Sequence, residues 1–169
     1  INAAKNSTCE LDCIPTTLLK ECTDATGLLP NIATIMNSSL STGTVPPCLK
    51  HAIIRPHLKK ANLDHDVFKN YRPLSNLPFL SKILEKIIVK RLLTHLDQHG
   101  LQEVMQSAYK KHNSTETALV KVQNDILTNL DKKRGVILVL LDLSAAFDTI
   151  DHATLLHQLE YRLGISGTA

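Results

Sequence analysis

The most constraining feature of the sequence is an apolar run that ends in an aspartate, "VILVLLDLSAAFDTIDH", from Val136 to His152. Six apolar residues, Val136 to Leu141, precede Asp142 and predict a strand in the middle of a protein. A carboxylate is costly to bury there unless its charge is compensated. Asp142 is therefore either a cap of the turn after the strand or a metal ligand, and the pattern taken alone favours the cap.

A metal site at Asp142 needs more ligands than the pattern of this segment identifies. A rigid strand holds its last side chain at a fixed position, and magnesium prefers hard oxygen ligands held in that way. A two-metal phosphoryl-transfer site needs further ligands to bridge its ions. Asp148 and Asp151 are candidates by proximity only. Composition and spacing take the metal hypothesis no further.

The whole chain has the composition of a globular protein. Its 169 residues are enough for one sizeable core, 43% of them are hydrophobic, and the net charge of +3 does not by itself require a polyanionic partner. No apolar stretch approaches the ~20 residues of a membrane span, so we expect no membrane. Because the chain starts at Ile1 rather than Met and stops at Ala169, we expect a fragment of a longer protein.

Helical periodicity dominates the remainder, which predicts an α+β fold with few strands. After two short helices between residues 15 and 40, the second starting near Pro30, amphipathic spacing predicts helices at 78–99, 114–131 and 152–163. The segment 51–58 contains β-branched residues and Pro56, which favours a short edge strand or hairpin arm.

The predicted strand 136–142 should lie in a sheet core. We expect the helices at 78–99 and 114–131 to flank it, with Val139 and Leu141 buried. The apolar stripe of the second of these helices should be buried as well; its members are Leu119, Val122, Ile126 and Leu130.

Positive charge concentrates around the predicted hairpin arm. Against Asp64 and Asp66, the cluster contains Lys50, Arg55, Lys59, Lys60, Lys69 and Arg72. Lys and Arg so grouped can bind a phosphate backbone, whereas a solvated loop is the commoner explanation for a run this dilute. Lys110 precedes the predicted cap at Ser114, where an anion site and a plain helix cap both remain open.

Several segments resemble, in the right order, the reverse transcriptases of non-LTR (LINE-type) retrotransposons. "LVLLDLSAAFDTIDHATLL" resembles their first catalytic motif, and "LGISGTA" the segment that follows it. "LSTGTVPPCLKHAIIRPHLKK", "NYRPLSNLPFLSKILEKIIVKRL" and "QSAYKKHNSTETAL" are similar to successive blocks of the fingers. "LDCIPTTLLKE" resembles the linker just upstream of the polymerase domain.

This resemblance implies the fingers and partial palm of a right-hand polymerase, in truncated form. Residues 1–47 would be a helical extension upstream of the polymerase domain and residues 48–169 a partial reverse transcriptase domain. The implied partners are an RNA template, a DNA primer and deoxynucleoside triphosphates, and the implied location is intracellular, nuclear at the site of action with cytoplasmic transit. The alternatives are a non-enzymatic nucleic-acid-binding module and a decayed relic of such an element.

The resemblance also implies roles for single residues. Asp142 matches the first catalytic, metal-binding aspartate, and the backbone of Leu143 its companion ligand; magnesium is the implied cofactor, with manganese as the alternative. Phe147 matches the aromatic under the sugar of the incoming nucleotide. Arg72 and Lys110 match positions that contact the nucleotide. The charge cluster, rather than the resemblance, gives Lys50, Arg55, Lys59 and Lys60 as the predicted nucleic-acid-binding residues.

Two departures from the family pattern affect these expectations. Ala108-Tyr109-Lys110 stands where the family usually has Gly-Phe-Arg; Lys loses the two-pronged geometry of Arg, and Ala is strained if the backbone needs a positive φ. The family motif with paired aspartates does not occur in these 169 residues. We therefore expect this chain alone to be inactive.

Overall fold

The computed structural model describes residues 1–2, 4–23, 27–143 and 146–167. They form two compact units, one with Ile1–His95 and the stretch from Gly164, the other with Leu96–Leu163. The elements in chain order are α1 (Thr16–Cys22), α2 (Leu28–Thr42), α3 (Pro47–Lys50), β1 (Ile53–Leu58), a 3-10 turn (Phe68–Asn70), β2 (Tyr71–Asn76), α4 (Phe79–Gln98), α5 (Thr115–Asp131) and α6 (His152–Tyr161). This mixture of helices with a small two-stranded sheet agrees with the predicted α+β class.

The first unit has a core made by α1, α2 and α4. Its buried apolar side chains are Leu19, Ile32, Met36, Phe79, Ile83 and Leu84. Full burial of such a side chain contributes about 1.5–3 kcal/mol, which stabilises helices that are marginal when isolated. The two predicted helices between residues 15 and 40 are confirmed, but α2 begins at Leu28 rather than at Pro30. Pro30 fits in the first turn because amides there have no acceptor within the helix.

The predicted helix 78–99 is confirmed as α4, and a glycine ends it. Gly100 adopts a left-handed conformation with φ of 62°. Its N–H donates to the carbonyl of Asp97 (3.3 Å) and the N–H of Leu101 to the carbonyl of Leu96 (2.9 Å), which is the Schellman pattern of a helix end. The apolar side chains that α4 buries, Phe79, Ile83 and Leu84, all lie in its first two turns, whereas Ile88 is exposed.

The predicted hairpin arm at 51–58 is confirmed as β1, which pairs antiparallel with β2 from Ile53 opposite Asn76 to Leu58 opposite Tyr71. The connecting loop has hydrogen bonds of its own. The N–H of Lys59 donates to the carbonyl of Asn70 (2.8 Å), and the Asn70 side-chain amide donates to the carbonyl of Asp64 (2.8 Å). The loop therefore closes on itself rather than extending freely.

The second unit contains α5 and α6 where the sequence predicted helices. Ser114 is the N-cap of α5: its side chain accepts from the N–H of Thr117 (3.2 Å), and the Thr117 hydroxyl accepts from the N–H of Ser114 (2.9 Å). Burial of the α5 stripe, however, was predicted wrongly. No residue of α5 is buried, and Leu119 is 63% exposed. An amphipathic stripe favours burial, but it becomes buried only where another apolar surface packs on it.

The strand predicted at 136–142 is wrong for this structure. The segment has no regular secondary structure, Val139 is 68% exposed and Leu141 is 90% exposed. Because a strand needs a neighbour to accept and donate its backbone hydrogen bonds, an apolar run alone does not form one. Among the described residues, only β1 and β2 pair as strands, so the predicted burial of Val139 and Leu141 fails with the strand.

Candidate nucleic-acid interface and catalytic segment

The hairpin places three nitrogen-bearing side chains on one face. In its register Arg55 lies opposite Leu74 and His57 opposite Arg72. Residues two apart along a strand, and residues directly opposite each other, project from the same side of a sheet. Arg55, His57 and Arg72 therefore share a face, and all three are exposed. The structure thus places Arg55 and Arg72, two members of the basic cluster predicted from the sequence, on the same face of the hairpin.

Two prolines fit this hairpin because of its register. Pro56 lies opposite Pro73. Lys59 and Asn70 form a hydrogen-bonded pair, because the N–H of Lys59 donates to the carbonyl of Asn70. Hydrogen-bonded and non-hydrogen-bonded pairs alternate along an antiparallel ladder. Pro56 and Pro73 consequently occupy a non-hydrogen-bonded pair, where the missing N–H removes no bond between β1 and β2.

Two residues of the predicted cluster are engaged within the first unit. Arg55 forms an ion pair with Glu10, and both side chains are exposed, so the pair contributes little to stability. The Lys59 ammonium donates to the carbonyl of Lys69 (2.6 Å). Since an ammonium has three donors, Lys59 keeps two for another partner. A phosphate would have to compete with Glu10 for Arg55, whereas Lys59 can bind one without losing its contact.

The remaining predicted phosphate contacts lie on either side of β1. Lys50 is the last residue of α3, and Lys60 follows Lys59 in the hairpin loop. Both are exposed. The structure therefore leaves the ammonium groups at both positions accessible to an anion.

Cys9 and Asp12 hold the base of the hairpin, a role that no sequence pattern indicated. Asp12 accepts from the N–H of Phe79, the first residue of α4 (2.8 Å), and from the N–H of Cys9 (2.7 Å). The thiol of Cys9 in turn donates to the carbonyl of Asn76, the last residue of β2 (3.2 Å). Asp12 is thus a helix cap supplied from a distant part of the chain, and no local signal next to α4 points to it.

Lys82 extends the same contacts. Its ammonium donates to the side-chain oxygen of Asn76 (2.8 Å) and to the hydroxyl of Ser7 (2.9 Å). Thr16, which is fully buried, donates from its hydroxyl to the carbonyl of Ser7 (3.1 Å). Residues 7–16 therefore fix where β2 ends and α4 begins. The domain boundary predicted at residues 47 and 48 stays a prediction, although both sides of it lie in the first unit.

The segment predicted to be catalytic, around Asp142, belongs to the second unit. Asp142, Leu143 and Phe147 are all exposed. Within the part of the chain that the structure describes, the Asp142 carboxylate forms neither a hydrogen bond nor an ion pair. Asp142 therefore does not cap a turn among the described residues, and its carboxylate oxygens are accessible to a ligand.

The donors around Asp142 fit a divalent cation in kind but not in number. Its carboxylate and the carbonyl of Leu143 are hard oxygen donors, as magnesium prefers. Across residues 1–2, 4–23, 27–143 and 146–167, no group of three or more His, Cys, Asp or Glu side chains is arranged to hold a metal ion. Asp148, a candidate ligand by proximity, is therefore not part of such a group in the described residues. Reverse transcriptases in general use divalent metal ions. The assignment of Asp142 and Leu143 as ligands of such an ion stays a prediction.

The loop before α5 carries Lys110 and an unusual backbone. Left-handed φ values occur at Tyr109 (61°) and His112 (65°), and not at Ala108. Replacement of the family's Gly by Ala108 therefore introduces no strain at that residue, whereas Tyr109 takes the strained conformation. The Lys110 ammonium donates to the carbonyl of Glu103 within the second unit.

Asp151, named above as a candidate ligand by proximity, has a structural role at the start of α6. It is the N-cap of α6 and accepts from the N–H of Thr154 (2.7 Å). Hydrogen bonds from the side chain and then the backbone of Thr154 lower the pKa of this carboxyl. A similar bond from Ser114 lowers the pKa of Glu116 at the start of α5. Both carboxylates stabilise helix starts.

Comparisons with known proteins agree with the motifs. A family model described as "Reverse transcriptase (RNA-dependent DNA polymerase)" matches residues 58–163. The RNA-directed DNA polymerase from mobile element jockey of Drosophila melanogaster is 35% identical over 127 residues, which is 75% of this chain and 14% of that protein. The jockey polymerase of Drosophila funebris is 35% identical over 124 residues, 73% of this chain and 13% of that protein.

A more distant relative belongs to another retrotransposable element. The retrovirus-related Pol polyprotein from type-1 retrotransposable element R2 of Popillia japonica is 28% identical over 96 residues, 57% of this chain and 13% of that protein. No solved structure matches the chain.

The chain spans about 14% of the length of the curated relatives it matches. In the described residues, no helix is both long and apolar enough to cross a membrane. The motifs, their order and the match over residues 58–163 agree on one conclusion: the chain belongs to the reverse transcriptase family, which confirms its resemblance to the polymerases of non-LTR retrotransposons.

Proposed function

We propose that the chain provides the fingers and the first palm segment of a right-hand RNA-directed DNA polymerase of a non-LTR retrotransposon. The observation that carries the proposal is the family match over residues 58–163. The match covers, in order, the block that begins "NYRP", the block "QSAYKKHNSTETAL" and the segment around Asp142. Residues 48–169 are then a partial polymerase domain, and residues 1–47 its upstream extension.

The substrates of the longer polymerase are an RNA template, a DNA primer and deoxynucleoside triphosphates. The primer 3′-hydroxyl attacks the α-phosphate of the nucleotide and pyrophosphate leaves. Magnesium, when bound, activates the attack and stabilises the leaving group. The reaction takes place in the nucleus, after the protein has passed through the cytoplasm.

In this chain the catalytic segment contributes position and charge. The carboxylate of Asp142 and the carbonyl of Leu143 hold the cation together with ligands from the remainder of the polymerase. Phe147, five residues after Asp142, lies under the sugar and excludes a 2′-hydroxyl. Support comes from the exposure of all three residues and from the absence of a competing partner for Asp142 among the described residues. Arg72 and Lys110 contact the triphosphate or the template.

The basic surface of the first unit binds the nucleic-acid backbone. Its contacts are Lys50, Arg55, Lys59 and Lys60, together with Arg72. The shared face of Arg55, His57 and Arg72 and the free donors of Lys59 support this assignment. Since each neutralised phosphate releases counterions, the affinity should depend strongly on salt.

Binding of a primed RNA template to the 169-residue chain tests the proposal. We expect the logarithm of the affinity to fall with the logarithm of salt concentration, at roughly −0.7 to −0.9 per phosphate contact. The triple change Lys59→Ala, Lys60→Ala, Arg72→Ala should weaken binding and flatten this slope, as measured by fluorescence anisotropy. A matched control removes the same charges from the exposed surface of α4, with Lys86→Ala, Lys90→Ala and Arg91→Ala.

Equal losses in the two triple variants would show that binding follows net charge rather than the hairpin surface. A flat salt response would remove the nucleic-acid interface altogether. Primer extension with magnesium should give no product above a blank without enzyme. Incorporation that disappears in Asp142→Ala would show that the chain is catalytically more complete than proposed.

A further inference from the structure

The tip of the hairpin exposes an aromatic ring that none of the predicted contacts uses. Phe68 is 93% exposed, the highest value among the large apolar side chains in the described residues. A Phe side chain presents a large apolar surface, and its exposure to water is unfavourable. Single exposed apolar residues are common on protein surfaces, so exposure alone does not make Phe68 a binding residue.

The backbone that carries Phe68 is held in place. Phe68 begins the 3-10 turn, in which the N–H of Asn70 donates to the carbonyl of Val67 (2.9 Å) and that of Tyr71 to the carbonyl of Phe68. The Tyr71 hydroxyl donates to the carbonyl of His65 (3.0 Å), which ties the turn to the rest of the loop. The ring is therefore presented on an ordered turn, so that less backbone entropy is lost when a ligand binds it.

The loop that carries this ring, residues 59–70, contains three lysines against two aspartates. Lys69 follows Phe68 directly, and the hydrogen bond from the Lys59 ammonium to the carbonyl of Lys69 (2.6 Å) brings Lys59 next to the same turn. Lys60 follows Lys59. All three lysines are exposed. The surface thus combines an accessible aromatic face with several cations.

This combination selects one class of ligand. Lysines alone bind phosphates of any nucleic acid, and an aromatic ring adds affinity only where a base face is accessible. In a duplex the bases are stacked on each other, whereas single strands offer their faces for stacking. The positive charge also makes a polyanion a better partner than an apolar protein surface.

We propose that Phe68 stacks on an unpaired base of a single-stranded nucleic acid, while Lys59, Lys60 and Lys69 contact the neighbouring phosphates. The proposal rests on the nucleic-acid-binding function proposed above and specifies the single-stranded part of the template as the ligand of the hairpin tip. Phe68 is a binding residue here.

The chain contains no tryptophan, which permits a direct optical test. In Phe68→Trp the introduced indole is the only one in the chain, and stacking on a base should quench its fluorescence. The ligands are a single-stranded RNA of about 12 nucleotides, within the range of single-strand sites, and an abasic strand of equal length. We expect quenching by the RNA and none by the abasic strand. Tyr161→Trp, exposed on α6, is the matched control and should not be quenched.

Affinities measured by anisotropy complete the test. Phe68→Ala should weaken RNA binding about 5- to 150-fold, the range expected for one base–aromatic stack, and leave binding of the abasic strand unchanged. Phe68→Leu keeps an apolar side chain but loses the ring, so it should lose affinity as Phe68→Ala does. Because the side chain is exposed, both variants should keep the circular dichroism spectrum and unfolding midpoint of the parent chain.

Other outcomes separate the two proposals. If Phe68→Ala binds RNA as well as the parent does, while Lys59→Ala and Lys60→Ala weaken it, stacking is wrong and the basic surface stands. If the parent chain binds neither strand, both proposals are wrong. If Phe68→Ala abolishes a self-association seen by analytical ultracentrifugation without changing RNA affinity, the ring is a protein contact and stacking is overturned.

Discussion

α4 and α5 are amphipathic helices of similar length, 20 and 17 residues, that differ in what surrounds them. The first amide of α4 is capped by Asp12, which lies 67 residues earlier in the chain, and the helix buries Phe79, Ile83 and Leu84 in a core. α5 is capped by Ser114 within its own first turn and buries no residue. A helix can thus be specified locally without being packed, and packing depends on contacts from elsewhere in the chain.

The same contrast separates structural from chemical roles. Among the described residues, the buried side chains and the hydrogen bonds that Asp12 and Cys9 make to remote residues lie in the first unit, whereas the second contains the exposed segment that is predicted to be catalytic. Substitutions in the two units should therefore affect different measurements: unfolding free energy in the first, and catalysis of the longer polymerase in the second.

The largest effect should come from Asp142→Asn in the full-length polymerase. The change removes the charge of a proposed metal ligand, so we expect the rate of nucleotide incorporation to fall about 10²–10³-fold or more, as when one preorganised electrostatic contact is lost. Because Asp142 is exposed, stability should change by no more than about 0.5 kcal/mol. Single-turnover primer extension and urea unfolding measure the two quantities.

Phe147→Val is the comparison variant for that experiment. It should retain part of the incorporation of deoxynucleotides and admit ribonucleotides, because only a steric barrier is removed. Near-normal activity of Asp142→Asn, or loss of its fold, would instead make Asp142 a structural residue.

A core substitution should have the next largest effect. Phe79→Ala removes a ring that is 2% exposed, and we expect a loss of about 3–5 kcal/mol in unfolding free energy from lost transfer energy and the remaining cavity. Leu119→Ala, the matched change on α5, should alter stability by only about 0.5 kcal/mol. Urea denaturation followed by circular dichroism compares them. A comparable loss in Leu119→Ala would mean that α5 is packed in solution.

The two helix caps give a smaller difference. Asp12→Ala leaves the N–H groups of Phe79 and Cys9 without their acceptor, at about 1–3 kcal/mol in total because both bonds are only partly buried. Ser114→Ala should cost about 1 kcal/mol and affect α5 alone. Hydrogen exchange should show faster exchange at the start of α4 and the end of β2 only in the first variant. If both variants destabilise only their own helix start, Asp12 does not link distant segments.

The smallest effect concerns pH at α6. The bonds from Thr154 lower the pKa of Asp151 in the folded chain below its unfolded value. The cap therefore stabilises α6 above the unfolded-state pKa, and this stabilisation is lost as pH falls through the folded-state pKa. An NMR titration should place the Asp151 midpoint below that of a short peptide, and Asp151→Asn should remove the acid dependence of the α6 amides. Equal midpoints would contradict the cap.

Helix positions were predictable because their signals lie within a few residues. Ser114, Gly100 and Asp151 act on neighbouring amides and carbonyls, so α4, α5 and α6 were found nearly to the residue. The role of Asp12 was not, since its partner Phe79 is remote in sequence. The strand at 136–142 was mispredicted for the same physical reason. An apolar run favours burial, but a strand also needs a neighbouring strand for its backbone hydrogen bonds, and that neighbour must come from another part of the chain.

The candidate site divides in the same way. The basic cluster and the hairpin arm were predictable from the charged residues and from the β-branched segment. Which of the side chains share a face depends on the pairing of β1 with β2. Phe68 had no sequence signal, because its exposure becomes evident only once the loop is closed. The identities assigned to Asp142, Phe147 and Lys110 came from family resemblance rather than from local pattern.

The opposed prolines of the hairpin have a consequence for association. In a non-hydrogen-bonded pair, backbone groups point away from the partner strand, towards the outer edges of the ribbon. Pro56 therefore removes a donor from the outer edge of β1, and Pro73 removes one from the outer edge of β2. Neither edge can accept an added strand without a break in its ladder at that point. The hairpin can thus project into solvent without recruiting a second copy by strand addition, whereas the apolar run 136–141 contains no proline to prevent it.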